Sequence, residues 1–425
     1  MRVGTIGITR ALSSRVRSHT IKTINLVLRR NLLLKGRVIK MGIDRDNSRR
    51  EFLKNGVSLG AIALSAGSFP WAAMAQDEEL VPFSDVPSSW APSPQIPGSI
   101  HLIDTRNISN FYSDDFYVVQ HYGQPTIDVD EFRLRVTGMV DNPREYSLSE
   151  LMQRQVVEQD FGFECGGNRN QIFNGLVGNA RWRGISLAAL LREAGIQEDG
   201  REVVFFGADV GTEEIRGRSV DQAFARSLPV HDALGEHNML AYEMNGSPLP
   251  SQHGRPLRLI VPGHYGVANV KWLTHIHVQD TRYMGRFMGR DYVTLKNQNT
   301  GGVARWMENS VARMNLKSVV ARVTRQGNTH RVTGFVLNDG TPLQSVEVRI
   351  DNGSWQEAQI DQQSSAYSWK LFHFDWKGAG PGDHTIVSRA TDINGHVQPP
   401  MEEMPEKVSS WENFAQFPRT INISS

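Results

Sequence analysis

The sequence predicts two folded domains, a mixed α+β domain followed by an antiparallel β-sandwich. The chain beyond residue 75 runs to about 350 residues, more than one hydrophobic core ordinarily serves. Between Phe132 and about residue 305, apolar runs alternate with two helical stretches that carry their own start and stop signals. Beyond Lys317 the texture changes to short β-branched and aromatic runs separated by turn residues.

The N-terminal elements precede either domain. Residues 1–40 hold ten Lys or Arg and no acid, and Met41 stands just ahead of Ser48-Arg49-Arg50-Glu51-Phe52-Leu53-Lys54. An uncharged run from Gly56 follows and ends Ala73-Met74-Ala75. A paired-arginine region, a weakly apolar stretch and an A-x-A site read as a twin-arginine export signal over 41–75, cleaved near Ala75, with 1–40 a translated upstream stretch. That route carries folded proteins and places the mature chain in the periplasm. The run is nearly long enough to anchor in a membrane, but its glycines, serines and Pro70 argue against that reading. Residues 76–110, with Val86-Pro87-Ser88-Ser89-Trp90-Ala91-Pro92-Ser93-Pro94, read as an extended arm.

The first domain, 111–305, opens with Phe132-Arg133-Leu134-Arg135-Val136-Thr137-Gly138, a strand by its alternation, turned by Asp141-Asn142-Pro143. Ser147-Leu148-Ser149-Glu150-Leu151 has the pattern of a capped helix start, and a second helix over Ser186–Ala194 stops at Gly195. Strands are expected at Val203-Val204-Phe205-Phe206 and Leu257–Pro262. In the second domain, 306–425, strands are expected over Thr329–Val336, Val346–Ile350, Tyr367–Phe374 and His384–Ala390. Asn338-Asp339-Gly340, Asp351-Asn352-Gly353 and Gly378–Gly382 turn them. Several strands at this spacing imply a sandwich of immunoglobulin type, without that fold's cysteine pair.

Charge narrows the partners. Of 46 Lys and Arg and 45 Asp and Glu, 14 and 3 precede Gln76, which leaves 32 and 42 beyond it, a net of −10. An acidic exported protein is not steered to nucleic acid or to anionic membrane.

Cys165 is the one cysteine of the chain and lies in Phe163-Glu164-Cys165-Gly166-Gly167-Asn168-Arg169. A lone thiol in an oxidising compartment forms no internal disulfide and is open to oxidation unless something caps the sulfur. A metal would cap it, since thiolate is a soft ligand, and the two glycines let backbone approach a bulky group. A small buried hydrophobe is the other reading of a free cysteine.

Three further segments stand with the cysteine: Asn179-Ala180-Arg181-Trp182-Arg183-Gly184, Leu240-Ala241-Tyr242-Glu243-Met244-Asn245-Gly246, and Pro262-Gly263-His264-Tyr265-Gly266-Val267-Ala268-Asn269-Val270-Lys271-Trp272-Leu273. Together they resemble the sulfite oxidase family of molybdopterin enzymes, from about Tyr117 to the end of the β-sandwich. The resemblance implies a molybdopterin-binding α+β domain followed by an Ig-like domain that mediates dimerisation. It also implies a molybdenum held by the dithiolene of one molybdopterin and by the thiolate of Cys165.

His121, Asp209, His253, Arg258, Asn269, Val270 and Lys271 match the family's pterin contacts. A flat hydrogen-bonding ring with a terminal phosphate needs amide, carboxylate and imidazole groups at one end and cations at the other. Asp291 and Tyr292 match the pair beside the metal, where a phenol can donate a hydrogen bond and a carboxylate can handle protons.

The departures concern the substrate. Val119, Asn170 and Lys370 stand where the family's sulfite oxidases carry arginines, so Arg169 and Lys370 are left to attract an anion, and lysine is a point charge rather than a bidentate fork. No C-x-x-C-H occurs, so no covalent c-type haem is expected in this chain. The resemblance therefore implies oxidation of sulfite or a related small sulfur anion, with electrons leaving to a separate carrier, a c-type cytochrome by charge complementarity. An S-oxide reductase, a sulfane dehydrogenase and a non-enzymatic exported binding protein are the alternatives.

Overall fold

The computed structural model describes residues 78–87, 90 and 99–424. The upstream stretch, the export signal and Ser88-Ser89 and 91–98 of the arm lie outside them.

The first domain is built on two sheets. Strand Arg133–Gly138 buries Leu134 and Val136 fully and turns Arg133 and Arg135 outward, so the alternation sets its inner face. It pairs antiparallel with Arg144–Ser147 across the expected turn, and parallel with Leu273–Gln279. Leu273–Gln279 lies antiparallel to Glu202–Ile215, which returns as Arg218–Pro229. The second sheet runs Val156–Glu164, Val177–Ser186 and Met239–Met244, with Arg258–Ile260 beside the last of these.

The α+β expectation is met with little helix. Among the described residues the longest α-helix is Leu187–Ala194, and Val230–Ala233 and Arg286–Gly289 are single turns. The two expected helix starts are present. Ser147 Oγ accepts from the Glu150 N–H at 3.2 Å while the Glu150 carboxylate accepts from the Ser147 N–H at 2.8 Å, a reciprocal cap. Ser186 caps the second helix through the Ala189 N–H, and Gly195 closes it at φ 71°.

The C-terminal region is a two-sheet antiparallel sandwich. One sheet orders Glu79–Val81, Lys317–Gln326, Thr329–Leu337, Lys370–Lys377 and Gln359–Ile360; the other orders Gln356–Glu357, Leu343–Ile350, Gly382–Asp392 and Arg419–Ile423. Val320, Val332 and Phe372 from the first meet Val346, Ile386 and Ile421 from the second. The opposite face of the first sheet, with Val319, Phe335 and Leu371, packs into the core of the first domain. Strand Lys317–Gln326 is therefore buried on both faces over its first eight residues. Lys317, Ser318, Arg322 and Thr324 are buried along it, so it shows neither alternation nor an unbroken apolar run.

Two connections differ from the expected organisation. The arm is pinned rather than free, since Glu79–Val81 forms the edge of a sandwich sheet and Ile100–His101 pairs with Val118–Val119. The division at 305/306 falls inside a hairpin, Val293–Thr300 with Val303–Ser310, onto which Lys407–Val408 adds a third strand. The C-terminal segment thus returns to the first domain and brings Trp411 with it.

Candidate active site

Cys165 directly follows strand Val156–Glu164, where the chain leaves the sheet in a tight turn closed by the Asn168 N–H on the Cys165 carbonyl at 2.9 Å. Its own N–H donates to Leu176 O at 3.0 Å, so both ends of the loop hold the thiol in place. Cys165 is 6% exposed, and its sulfur accepts from the Gly167 N–H at 3.5 Å. Burial pushes the thiol up to about 11, against smaller lowering contributions from the Gly167 N–H, the Tyr292 hydroxyl and the Arg169 charge. Without a metal this sulfur is a neutral thiol at pH 7; with one it has a reason to ionise.

The bulky group that approaches Gly166 and Gly167 is the chain's own. A side chain at Gly167 would meet the Trp411 ring at 2.9 Å, and one at Gly166 would meet Val311 at 2.9 Å. Trp411 stacks on Tyr292 with ring centres 4.4 Å apart and donates from Nε1 to Asp291 O at 2.7 Å. It fixes the phenol, whose hydroxyl lies within hydrogen-bonding reach of the Cys165 sulfur and 2.9 Å from Nε2 of His121.

These three groups sit at one end of a single cavity. The other end is formed by Asp209, His253, Arg258, Asn269 and Lys271. Asp209 is placed by a bulge in strand Glu202–Ile215, and the neighbouring Ala208 N–H holds Trp272 O at 2.9 Å. Trp272 adopts φ 52°, an unfavourable conformation for a bulky residue, and its Nε1 donates to Ser251 O at 2.8 Å. Arg258 is 4% exposed, donates to the His253 and Asn269 carbonyls at 2.9 and 3.2 Å, and lies over the Trp182 ring at 4.9 Å.

The electrostatics of this wall call for a ligand. His253 is pushed down to about 3 by burial and by the Arg258 and Lys271 charges, and Arg258 down to about 10 by burial. Lys271 is held well below the usual lysine range by burial and then by Arg258. Buried cations, one of which suppresses its neighbours, are relieved by an anion. Asp209 is raised to about 6 by burial. His121 is open toward the cavity, yet the Phe287 and Phe224 rings at 4.6 and 5.2 Å remove it from bulk water, and with the Lys271 and Arg286 charges lower it to about 4.

Three cavity residues also carry buried polar atoms with no protein partner: Gln120 Oε1, Asp209 Oδ1 and Arg258 Nε. Buried polar groups are almost always satisfied, so these atoms point to a polar molecule. Two acceptors, a guanidinium donor and two neutral imidazoles suit a flat hydrogen-bonding heterocycle, and the cationic wall suits its phosphate. Among the described residues no three His, Cys, Asp or Glu side chains converge as a metal site, so Cys165 would be the protein's one ligand and the cofactor would supply others.

Of the residues singled out in the sequence, Cys165, His121, Asp209, His253, Arg258, Asn269, Lys271 and Tyr292 line this cavity. Val270 does not; its side chain is fully buried in the core and its carbonyl accepts from the Leu259 N–H. Asp291 lies outside the lining and pairs with Arg286 at 2.6 Å. Arg169 also lies outside the lining, although its charge is felt at Cys165. Lys370 is the clearest departure from expectation. Its ammonium donates to the Ala366 and Ser368 carbonyls at 2.6 and 2.9 Å and to Asn338 Oδ1 at 3.3 Å, and these acceptors occupy it away from the cavity. Phe224 and Trp411 were not legible as site residues, because neither belongs to a local motif, and Gln120 was passed over although it stands beside His121.

Comparison with known proteins agrees with this geometry. Residues 121–287 match the oxidoreductase molybdopterin binding domain. The mitochondrial sulfite oxidase of Drosophila melanogaster is 29% identical over 329 residues, 68% of this chain and 55% of that protein. The mitochondrial sulfite oxidase of Homo sapiens is 29% identical over 314 residues, 67% of this chain and 56% of that protein. The Arabidopsis thaliana sulfite oxidase is 26% identical over 324 residues, 67% of this chain and 81% of that protein. The chain thus spans little more than half the length of the animal relatives. The fold is shared with the crystal structure of the sulfane dehydrogenase SoxCD from Paracoccus pantotrophus, with a TM-score of 0.66 at 22% identity, over 87% of this chain and 96% of that one.

Residues 121–287 are thus a molybdopterin-binding domain of an oxidoreductase. The matched domain and the sulfite oxidase relatives support placing the chain in the sulfite oxidase family of molybdenum-dependent oxidoreductases.

Proposed function

We propose that this chain is a periplasmic molybdenum enzyme that oxidises sulfite or a related small sulfur compound and passes the electrons to a separate c-type cytochrome. The observation that carries the reading is the single cavity, with the Cys165 sulfur and the Tyr292–His121 pair at one end and the Asp209, His253, Arg258 and Lys271 wall at the other. When bound, molybdopterin would supply a metal able to exchange an oxygen atom and two electrons with the substrate.

The chain's residues would do the rest. Cys165 holds the metal as a thiolate. Arg258, Lys271 and His253 bind the phosphate, and Asp209, Asn269 and Gln120 meet the ring. Tyr292, fixed by Trp411, presents its phenol toward the sulfur, and neutral His121 shares that proton. Asp291 acts at one remove, by holding Arg286 beside His121.

A second reading on the same site, an S-oxide reductase or sulfane dehydrogenase, draws support from Val119 lining the cavity while Lys370 and Arg169 do not. An apolar valine in that lining, with no lysine or arginine of the family's anion-binding positions beside it, favours a substrate of low charge. We assign the C-terminal sandwich to the immunoglobulin type and to dimerisation, and the export signal to a twin-arginine route. The net of −10 beyond residue 75 fits a basic carrier. Steady-state assays of molybdenum-loaded protein against sulfite, thiosulfate and a dialkyl sulfoxide separate the readings. Turnover of sulfite with cytochrome c reduction supports the first, turnover of thiosulfate alone supports the sulfane dehydrogenase, and turnover of the sulfoxide alone supports the reductase.

A further inference from the structure

Glu164 precedes Cys165 at the end of strand Val156–Glu164, and side chains alternate along a strand, so its carboxylate turns away from the cavity. There it meets Lys317, the first residue of the sandwich strand Lys317–Gln326, with Nζ to Oε2 at 2.9 Å. Both side chains are 2% exposed. The same Oε2 accepts from Asn168 Nδ2 at 2.8 Å, and Asn168 Oδ1 accepts from the Leu176 N–H at 3.0 Å. Leu176 O in turn accepts from the N–H of Cys165. A charge from the second domain is thus tied by a closed chain of hydrogen bonds to the backbone that carries the thiol.

A fully buried ion pair is a poor stabiliser, because desolvating both charges offsets their attraction and an apolar pair of similar volume does as well. Its position beside the sulfur suggests another use. In a dry interior, charges act on their neighbours with little screening, and the Glu164 charge is felt at Cys165.

We infer that Lys317, from the second domain, offsets the Glu164 charge beside Cys165 and thereby tunes the redox potential of the metal that this sulfur would hold. The inference rests on the functional reading above. Both are positioning residues, since neither lines the cavity.

The test is a potentiometric titration of holoprotein, with molybdenum content measured first. Glu164→Gln leaves an uncompensated cation and raises the midpoint potential, because added positive charge favours the electron-rich state. The double variant Glu164→Gln with Lys317→Met is neutral again and returns to the wild-type potential, and it guards against Lys317→Met alone failing to fold around an unpaired carboxylate. An unchanged potential in molybdenum-replete Glu164→Gln, or equal shifts in the single and double variants, overturns the inference and leaves the pair a structural clasp. A wild type without molybdenum overturns the functional reading, and this inference with it.

Discussion

The Tyr292 hydroxyl and Nε2 of His121 lie 2.9 Å apart although 171 residues separate them, and the pair stands within reach of the Cys165 sulfur. The phenol cannot swing away, because Trp411 covers one face of its ring. The imidazole is neutral at pH 7, so the two share one hydrogen bond without a charge between them. On the proposed function, the pair gives a rigid, uncharged donor beside the Cys165 sulfur.

Tyr292→Phe keeps the stack on Trp411 and removes the donor. Turnover is expected to fall about 10- to 100-fold, the scale of a hydrogen bond to a charged group of about 1.5–3 kcal/mol. Molybdenum content should not change. Stopped-flow reduction of the metal by substrate, compared at equal molybdenum content, measures this.

Acid stability follows from the buried imidazoles. His121, His253 and His264 are held at about 4, 3 and 4 against an ordinary 6.5. The unfolded chain therefore binds more protons than the folded one below pH 6.5, and stability falls as pH drops from 6.5 toward 4. Asp209, raised to about 6, acts in the opposite sense: its protonated form is favoured in the fold, so it adds stability as pH falls through 6. Asp209→Asn removes that gain, and the loss of Tm on acidification of cofactor-free protein should become steeper. Parallel Tm curves for the two proteins would contradict the assignment.

Lys370→Met separates a structural lysine from a substrate-binding one. With its ammonium held by three acceptors outside the cavity, the variant should lose about 1–3 kcal/mol of stability through unsatisfied carbonyls, with KM within about twofold of wild type. A denaturant titration beside a KM measurement gives both numbers, and a KM raised tenfold would return Lys370 to the substrate.

Much of this arrangement was legible where physics is local. Ser147 with Glu150, and Ser186 with Gly195, mark helix ends because capping needs only neighbouring residues. Alternation around Leu134 and Val136 marked a strand with one wet face. The expected pterin contacts came from motifs, and six of the seven, with Cys165 and Tyr292, line one cavity. What escaped depends on distant pairing. The strands Glu202–Ile215 and Arg218–Pro229 extend well beyond Val203–Phe206, through a polar segment that owes its conformation to its partner strand. Lys370 carried the right charge at a motif position, and only the fold shows that the Ala366 and Ser368 carbonyls claim it. Trp411 lies 246 residues from Cys165, and no spacing rule connects them.

The central claim is that Cys165 holds a pterin-bound molybdenum, and elemental analysis of freshly purified protein tests it most directly. About one molybdenum per chain is expected in the wild type. Cys165→Ser should retain the pterin, because Arg258, Lys271 and Asp209 are untouched, but lose turnover, because oxygen is a harder donor than thiolate. Wild-type protein that carries neither molybdenum nor pterin, though folded and exported, would contradict the account.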